Sequence, residues 1–120
     1  MTERRRKAWR AGQRGERLAV WRLRLAGWRI LARDWRCPAG EIDIVAQRGR
    51  LVLFVEVKAR SDAGLAGEAI GRRQQGRIAG AAALFLARHP HLAGHDARFD
   101  AMLVAPWRWP VHLRDAWRQD

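Results

Sequence analysis

The chain has 120 residues, with 24 Lys plus Arg against 12 Asp plus Glu and a formal net charge of +12. Hydrophobic residues make up 48%, enough for one domain core, which excludes general disorder and leaves no room for a second domain of ordinary size. A lone cysteine, Cys37, excludes a disulfide framework or a Cys-rich zinc site, and the longest uncharged stretch, Ile78–Ala87, is too short to cross a bilayer.

Residues 1–11 are basic and lack apolar periodicity, so a flexible N-terminal arm is expected there, followed by a single domain over 12–120. From Gln13 to Ala26, Leu18, Trp21 and Leu25 recur at helical spacing and predict an amphipathic helix with those residues inward. Gly27 marks its end. Trp28–Trp35 alternates as a first strand, and Cys37-Pro38-Ala39-Gly40 is a turn. Glu41–Ala46 is a second strand, Gln47–Arg50 a hairpin turn, and Leu51–Lys58 a strongly apolar, central strand.

Ser61–Gly67 reads as a loop, and the Ala-rich segment Glu68–Arg88 as a helix burying Ile78, Ala81, Ala82, Phe85 and Leu86. Pro90 ends it. A fourth strand covers Arg98–Ala105, and Val111–Leu113 forms a short edge strand. The order α-β-β-β-α-β-β predicts an α/β fold, a central mixed sheet flanked by helices. No signal-peptide core is visible, so the expected location is the cytoplasm.

Charge is uneven. Residues 1–36 carry twelve basic and three acidic residues, whereas residues 37–71 carry four and five. A basic chain with a locally acidic centre favours polyanions such as DNA or RNA around a site of different chemistry. On a strand, alternate residues share a face, so Glu41 and Asp43 point one way, as do Glu56 and Lys58. With Arg48-Gly49 as a two-residue loop, Glu41 falls opposite Glu56, and Asp43 is its diagonal neighbour. A like-charge cross-strand pair destabilises a sheet unless a cation sits between the carboxylates. Mg²⁺ suits such a site, since it accepts one or two carboxylates and keeps positions for water and phosphate. Lys58 adds a point charge suited to a developing phosphate anion.

Three groups of residues carry a family resemblance. They are Gly12-x-x-Gly15-Glu16, then Arg36-x-x-x-Gly40-Glu41-Ile42-Asp43-Ile44-Val45, then Phe54-Val55-Glu56-Val57-Lys58-Ala59-Arg60. Glu68-Ala69-Ile70 and Arg98-Phe99-Asp100 add to them. Together they resemble the YraN-like family of uncharacterised bacterial proteins, over about residues 12–117. That family is placed in the restriction-endonuclease-like PD-(D/E)xK superfamily and is similar to archaeal Holliday junction resolvases. The resemblance implies that Asp43 and Glu56 are catalytic metal ligands, that Lys58 is the motif lysine and that Glu16 completes the metal site. Glu41 takes a supporting role. In the second helix the family usually has lysine where this chain has Gln74, so a weaker grip on substrate is expected there.

The expected function is that of a Mg²⁺- or Mn²⁺-dependent endonuclease-like protein acting on DNA, branched or single-stranded. Arg14, Arg36, Arg60 and Arg77 are the expected phosphate contacts. The resemblance brings in a homodimer, although the sequence carries no dimer signature. The alternatives are a nucleic-acid-binding module of the same fold that cuts nothing, and a protein–protein adaptor. Trp107-Arg108-Trp109 reads either as a stacking platform for unpaired bases or as two indoles on one face of a strand, packed on the sheet. His89, His91 and His95 near Asp96 read as a flexible loop rather than a zinc site.

Overall fold

A computed structural model describes residues 2–59 and 70–118, with residues 3–12 described by their backbone. Its elements are α1 (Glu3–Leu25), β1 (Arg29–Cys37), β2 (Gly40–Arg48), β3 (Leu51–Ala59), α2 (Arg72–Ala87), β4 (Asp96–Val104) and β5 (Val111–Trp117). The strands form one sheet in the order β1-β2-β3-β4-β5. β3 and β4 run parallel, joined across α2, and every other neighbouring pair is antiparallel. This is the mixed sheet and element order that the sequence predicts.

β3 is buried on both faces, which is why its sequence is an almost unbroken apolar run. Leu53 and Val55 pack under α1 with Ile44, Ala46 and Met102. Val52 and Phe54 pack under α2 with Val45, Ile78, Ala82 and Phe85. Phe85 meets Trp35 and Phe54 edge-on, with centroids 5.3 and 6.0 Å away. α2 starts at Arg72, and the residues expected to open it, Glu68 onward, lie outside the described segment up to residue 69.

α1 departs from expectation twice. It begins at Glu3, so residues 3–11 are helical where an arm was expected. Arg, Ala, Lys and Glu dominate there, and all are strong helix formers without any apolar stripe. The buried face is also not Leu18, Trp21 and Leu25, which are 41%, 53% and 72% exposed. Ala19, Val20 and Leu23 face the sheet instead, in line with buried Gly15 and Glu16. Gly15, Ala19 and Val20 are small, and they let the helix axis come close: a Cβ on Gly15 would stand 2.6 Å from Val104 Cγ2. A stripe containing Trp21 would hold the helix away. The stop at Gly27 is as expected, with φ +90°, Gly27 N–H donating to Arg24 O and Trp28 N–H to Leu23 O.

Two turns also differ. The β2–β3 loop is Gly49-Arg50, not Arg48-Gly49, because Arg48 pairs with Leu51 and Gln47 with Val52. Gly49 has φ +59°, and a two-residue hairpin favours glycine at its first position when only that position is left-handed. The register therefore moves by two residues, and Glu41 is no longer opposite Glu56. Trp107-Arg108-Trp109 lies in the turn between β4 and β5, not on a strand, with Trp107 fully exposed and Trp109 half exposed. Pro106 and Pro110 flank it, and proline withdraws a ladder donor.

Candidate metal centre

The corrected registers set acids side by side across three strands. In β1–β2, Arg33 pairs with Ile44 and Trp35 with Ile42, so Asp34 faces Asp43 between them. In β2–β3 the ladder runs to Ile44–Val55, and one step further Asp43 meets Glu56. There Asp43 Oδ2 accepts from the Val57 backbone N–H at 2.8 Å, so a side chain occupies the place of a ladder carbonyl. Glu16 reaches this row from α1. One carboxylate oxygen each from Glu16, Asp34 and Asp43 lies within 4.8 Å of the others.

Such packing of acids is unfavourable if all are ionised, and their titration shows it. Burial pushes the Glu16 carboxyl up from 4.5 to about 7, and Asp34 and Asp43 add to the rise. Burial raises Asp43 as well, against the lowering hydrogen bonds from Val57 N–H and Glu56. Glu56 rises to about 7 through burial and the Asp43 charge, against the lowering effect of Lys58. Glu56 and Asp43 therefore titrate as an interacting pair, both raised by burial.

Glu16 supplies the test of fit for a cation. The residue is only 7% exposed, and its Oε1 has no hydrogen-bond partner. The Arg33 Nε is 3.5 Å away, a long ion pair that leaves the oxygen free for a stronger partner. A buried, orphaned carboxylate oxygen facing two further carboxylates is a donor set for a hard divalent cation. Exposure of an ordinary helix residue, the alternative for Glu16, is excluded by its burial.

Glu56 has a second set of contacts, on the α2 side. Gln74 Nε2 donates to Glu56 Oε1 at 2.7 Å, Lys58 Nζ lies 3.4 Å from the same oxygen, and Lys58 donates to Gln74 Oε1 at 3.3 Å. The acids therefore form one row with two ends: Glu16, Asp34 and Asp43 on the α1 side, and Glu56 with Lys58 and Gln74 on the α2 side.

Glu41 stands outside the cluster. It pairs with Arg36 across β1–β2, Nε to Oε2 at 3.3 Å, and both are exposed. Its charge adds a little to the rise of the Asp43 carboxyl. Arg14 and Arg77 are exposed on α1 and α2, and Arg60 lies outside the described residues. Among the described residues, no cluster of potential metal ligands includes His89, His91 or His95. A cavity of about 610 Å³ lined by Leu51, Asp96, Arg98 and Trp117 sits at the start of β3 and β4, and it shares no residue with the acids.

Two residues of this centre are not evident from motif reading. Asp34 looks like an exposed strand position, yet counting back from the Cys37–Gly40 turn places it opposite Asp43. It also holds φ +48°, a conformation Asp tolerates better than most residues. Gln74 stands out in the sequence only as a departure from the resembled family's lysine; it lies sixteen positions from Lys58, and only the fold joins them.

A model of the uncharacterised protein family UPF0102 matches residues 15–104. A UPF0102 protein of Parvibaculum lavamentivorans is 55% identical over 111 residues, covering 92% of this chain and 84% of that one. One of Bartonella tribocorum is 45% identical over 109 residues, covering 91% and 84%. Among solved structures, Archaeoglobus fulgidus Hjc, a Holliday junction resolvase from an archaeal hyperthermophile, superposes with a TM-score of 0.52 at 22% identity, covering 92% of this chain and 79% of its own. That likeness shows the fold, which is restriction-endonuclease-like as the motifs imply. Family match and relatives agree over the segment that carries Glu16, Asp43, Glu56 and Lys58, and the chain belongs to the uncharacterised protein family UPF0102.

Proposed function

We propose that this protein is a divalent-cation-dependent phosphodiesterase acting on DNA. The observation that carries the reading is the Glu16–Asp34–Asp43 cluster, three carboxylate oxygens within 4.8 Å, with Glu16 Oε1 buried and without a hydrogen-bond partner. These three residues would hold Mg²⁺ or Mn²⁺, with Glu56 the next carboxylate in the row. When bound, such a cation polarises a phosphodiester and lowers the pKa of water. Asp43, fixed by Val57 N–H, keeps its carboxylate oriented without help from the cation. Glu56, titrating at about 7, is suited to hold or release a proton near neutral pH. The Lys58 ammonium, 3.4 Å from Glu56, offers a fixed positive charge to phosphate oxygens.

The net charge of +12 supports a polyanionic substrate. Hjc is named as a Holliday junction resolvase, and that likeness supports a branched DNA substrate; action as a homodimer in the cytoplasm is part of the same proposal. No helix among the described residues is long and apolar enough to cross a membrane. The second reading is a module that binds nucleic acid without cutting it, favoured by the mutual hydrogen bonding of Glu56, Lys58 and Gln74.

Incubation with four-way-junction, single-stranded and duplex DNA plus Mn²⁺ tests the proposal. Cleavage is expected in the wild type and absent in Asp43→Asn, while binding in EDTA stays unchanged in both. Binding without cleavage under every cation condition would establish the second reading, and sedimentation of the free protein tests the homodimer.

A further inference from the structure

We propose that the turn carrying Trp107-Arg108-Trp109 is a stacking platform for unpaired bases beside the metal centre. The inference rests on the nucleic-acid reading above and names the part of the substrate that meets this turn.

Trp107 is 102% exposed and Trp109 is 52% exposed. Trp107 also holds φ +62°, a left-handed conformation that bulky residues rarely adopt. An indole in a strained backbone position with no packing contact adds nothing to the fold. Local rules of this kind break where a surface meets something else.

The turn stands at the same end of the sheet as the acids. β4 runs parallel to β3 with Lys58 opposite Leu103 and Ala59 opposite Val104. The chain therefore leaves the sheet next to Lys58 and reaches Trp107 three residues later. Gly15, the neighbour of Glu16, rests against Val104 at the turn's entry. Arg22 Nε donates to Pro110 O at 3.3 Å at its exit. The helix that delivers Glu16 is thus fastened to both ends of the turn.

Charge selects the occupant. An exposed aromatic pair is open to a base, and on a chain with a net charge of +12 the complementary occupant is a polyanion. A nucleic acid strand is complementary: its bases stack on indoles whatever their sequence, and Arg108 between the indoles faces its phosphates. Bases locked in a duplex offer no free face, so the platform favours single strands and junction openings.

The experiment measures anisotropy of labelled single-stranded DNA and blunt duplex in EDTA, where cleavage plays no part. Trp107→Ala plus Trp109→Ala should weaken single-strand binding about tenfold or more and leave duplex binding almost unchanged. Trp107→Phe should restore most of the loss. The indole fluorescence missing in Trp107→Phe should be the part that single-stranded DNA quenches in the wild type. A wild type that binds neither DNA overturns both the nucleic-acid reading and this one. A wild type that binds single strands, with variants that lose nothing or lose equally on duplex, overturns the platform alone. A dimer-to-monomer change of the double variant in sedimentation would assign the turn to self-association and overturn it too.

Discussion

Gln74 Nε2 donates to Glu56 Oε1 at 2.7 Å, which puts an α2 side chain in direct contact with a motif acid. The family resemblance has lysine at this position, and the departure is expected to weaken substrate grip at a distance from the metal. Its observed place is beside the acids, where it bridges Glu56 and Lys58. Substituting Gln74→Lys should therefore act on Glu56. A second ammonium beside the carboxylate favours the ionised form, so the Glu56 titration should fall from about 7. Carbon-detected NMR of the carboxyl groups reads this directly. An unmoved midpoint would mean that position 74 does not face Glu56 in solution.

The raised carboxyls give the protein a pH dependence of unusual sign for acids. Glu16 and Glu56 titrate at about 7 in the fold against 4.5 for the ordinary group. Between those values the folded state holds protons that the unfolded chain has released. Stability of the metal-free protein should then decline as pH rises from 4.5 to about 7 and level off above. A divalent cation displaces the same protons, so its affinity should rise across that range and its binding should release protons. Calorimetric Mn²⁺ titration in two buffers of different ionisation enthalpy measures the release. Affinity independent of pH around neutrality would remove Glu16 and Glu56 from the binding site.

Gly15→Ala tests how the helix delivers Glu16. The new methyl would stand 2.6 Å from Val104 Cγ2, inside any normal contact, so α1 must shift away from the sheet. Overpacking of this kind costs about 1–3 kcal/mol, partly offset by the better helix propensity of alanine. The shift should also pull Glu16 from Asp34 and Asp43. We expect a lower urea midpoint together with weaker Mn²⁺ binding. A variant that binds the ion as tightly as the wild type would show that the cluster tolerates a displaced helix.

Element order and strand identity are legible in the sequence because alternation and turn residues encode them. Asp43 and Lys58 lie on the second and third strands, as the sequence predicts. What escaped depended on longer-range geometry. The β2–β3 register turned on which residue beside Gly49 joins the loop, a shift of one position that moved Glu41 out of the acid row and Asp43 beside Glu56. Asp34 was recoverable from the Cys37–Gly40 turn, but its exposed strand position gave no cue to count from there. The inward face of α1 was misread because Leu18, Trp21 and Leu25 outweigh Ala19, Val20 and Leu23 in hydrophobicity, while close helix–sheet packing selects the smaller set. Gln74 meets Lys58 only through the fold.

Asp100 carries another acidic feature of the family motif, and its role is structural. It is fully buried on β4 and accepts from Arg98 Nε at 2.8 Å, Arg98 Nη2 at 2.9 Å and Asp115 N–H at 2.9 Å, with His112 Nε2 at 2.6 Å. Burial alone would raise its carboxyl, but the hydrogen bonds from His112, Arg98 and Asp115 outweigh it and hold the group down at about 2. The network ties β5 to β4 where their pairing slips between Phe99 and Ala101. Asp100→Asn removes the charge and leaves Arg98 without its counterion, at a cost of about 3 kcal/mol or more. Urea unfolding should show a lower midpoint with an unchanged slope. A folded-state value below 3.8 means that the stabilisation is complete above 3.8 and is lost as pH falls toward about 2. The wild type should therefore weaken over that acid range while the variant stays flat, and matching acid slopes would show that Asp100 is not the group being titrated.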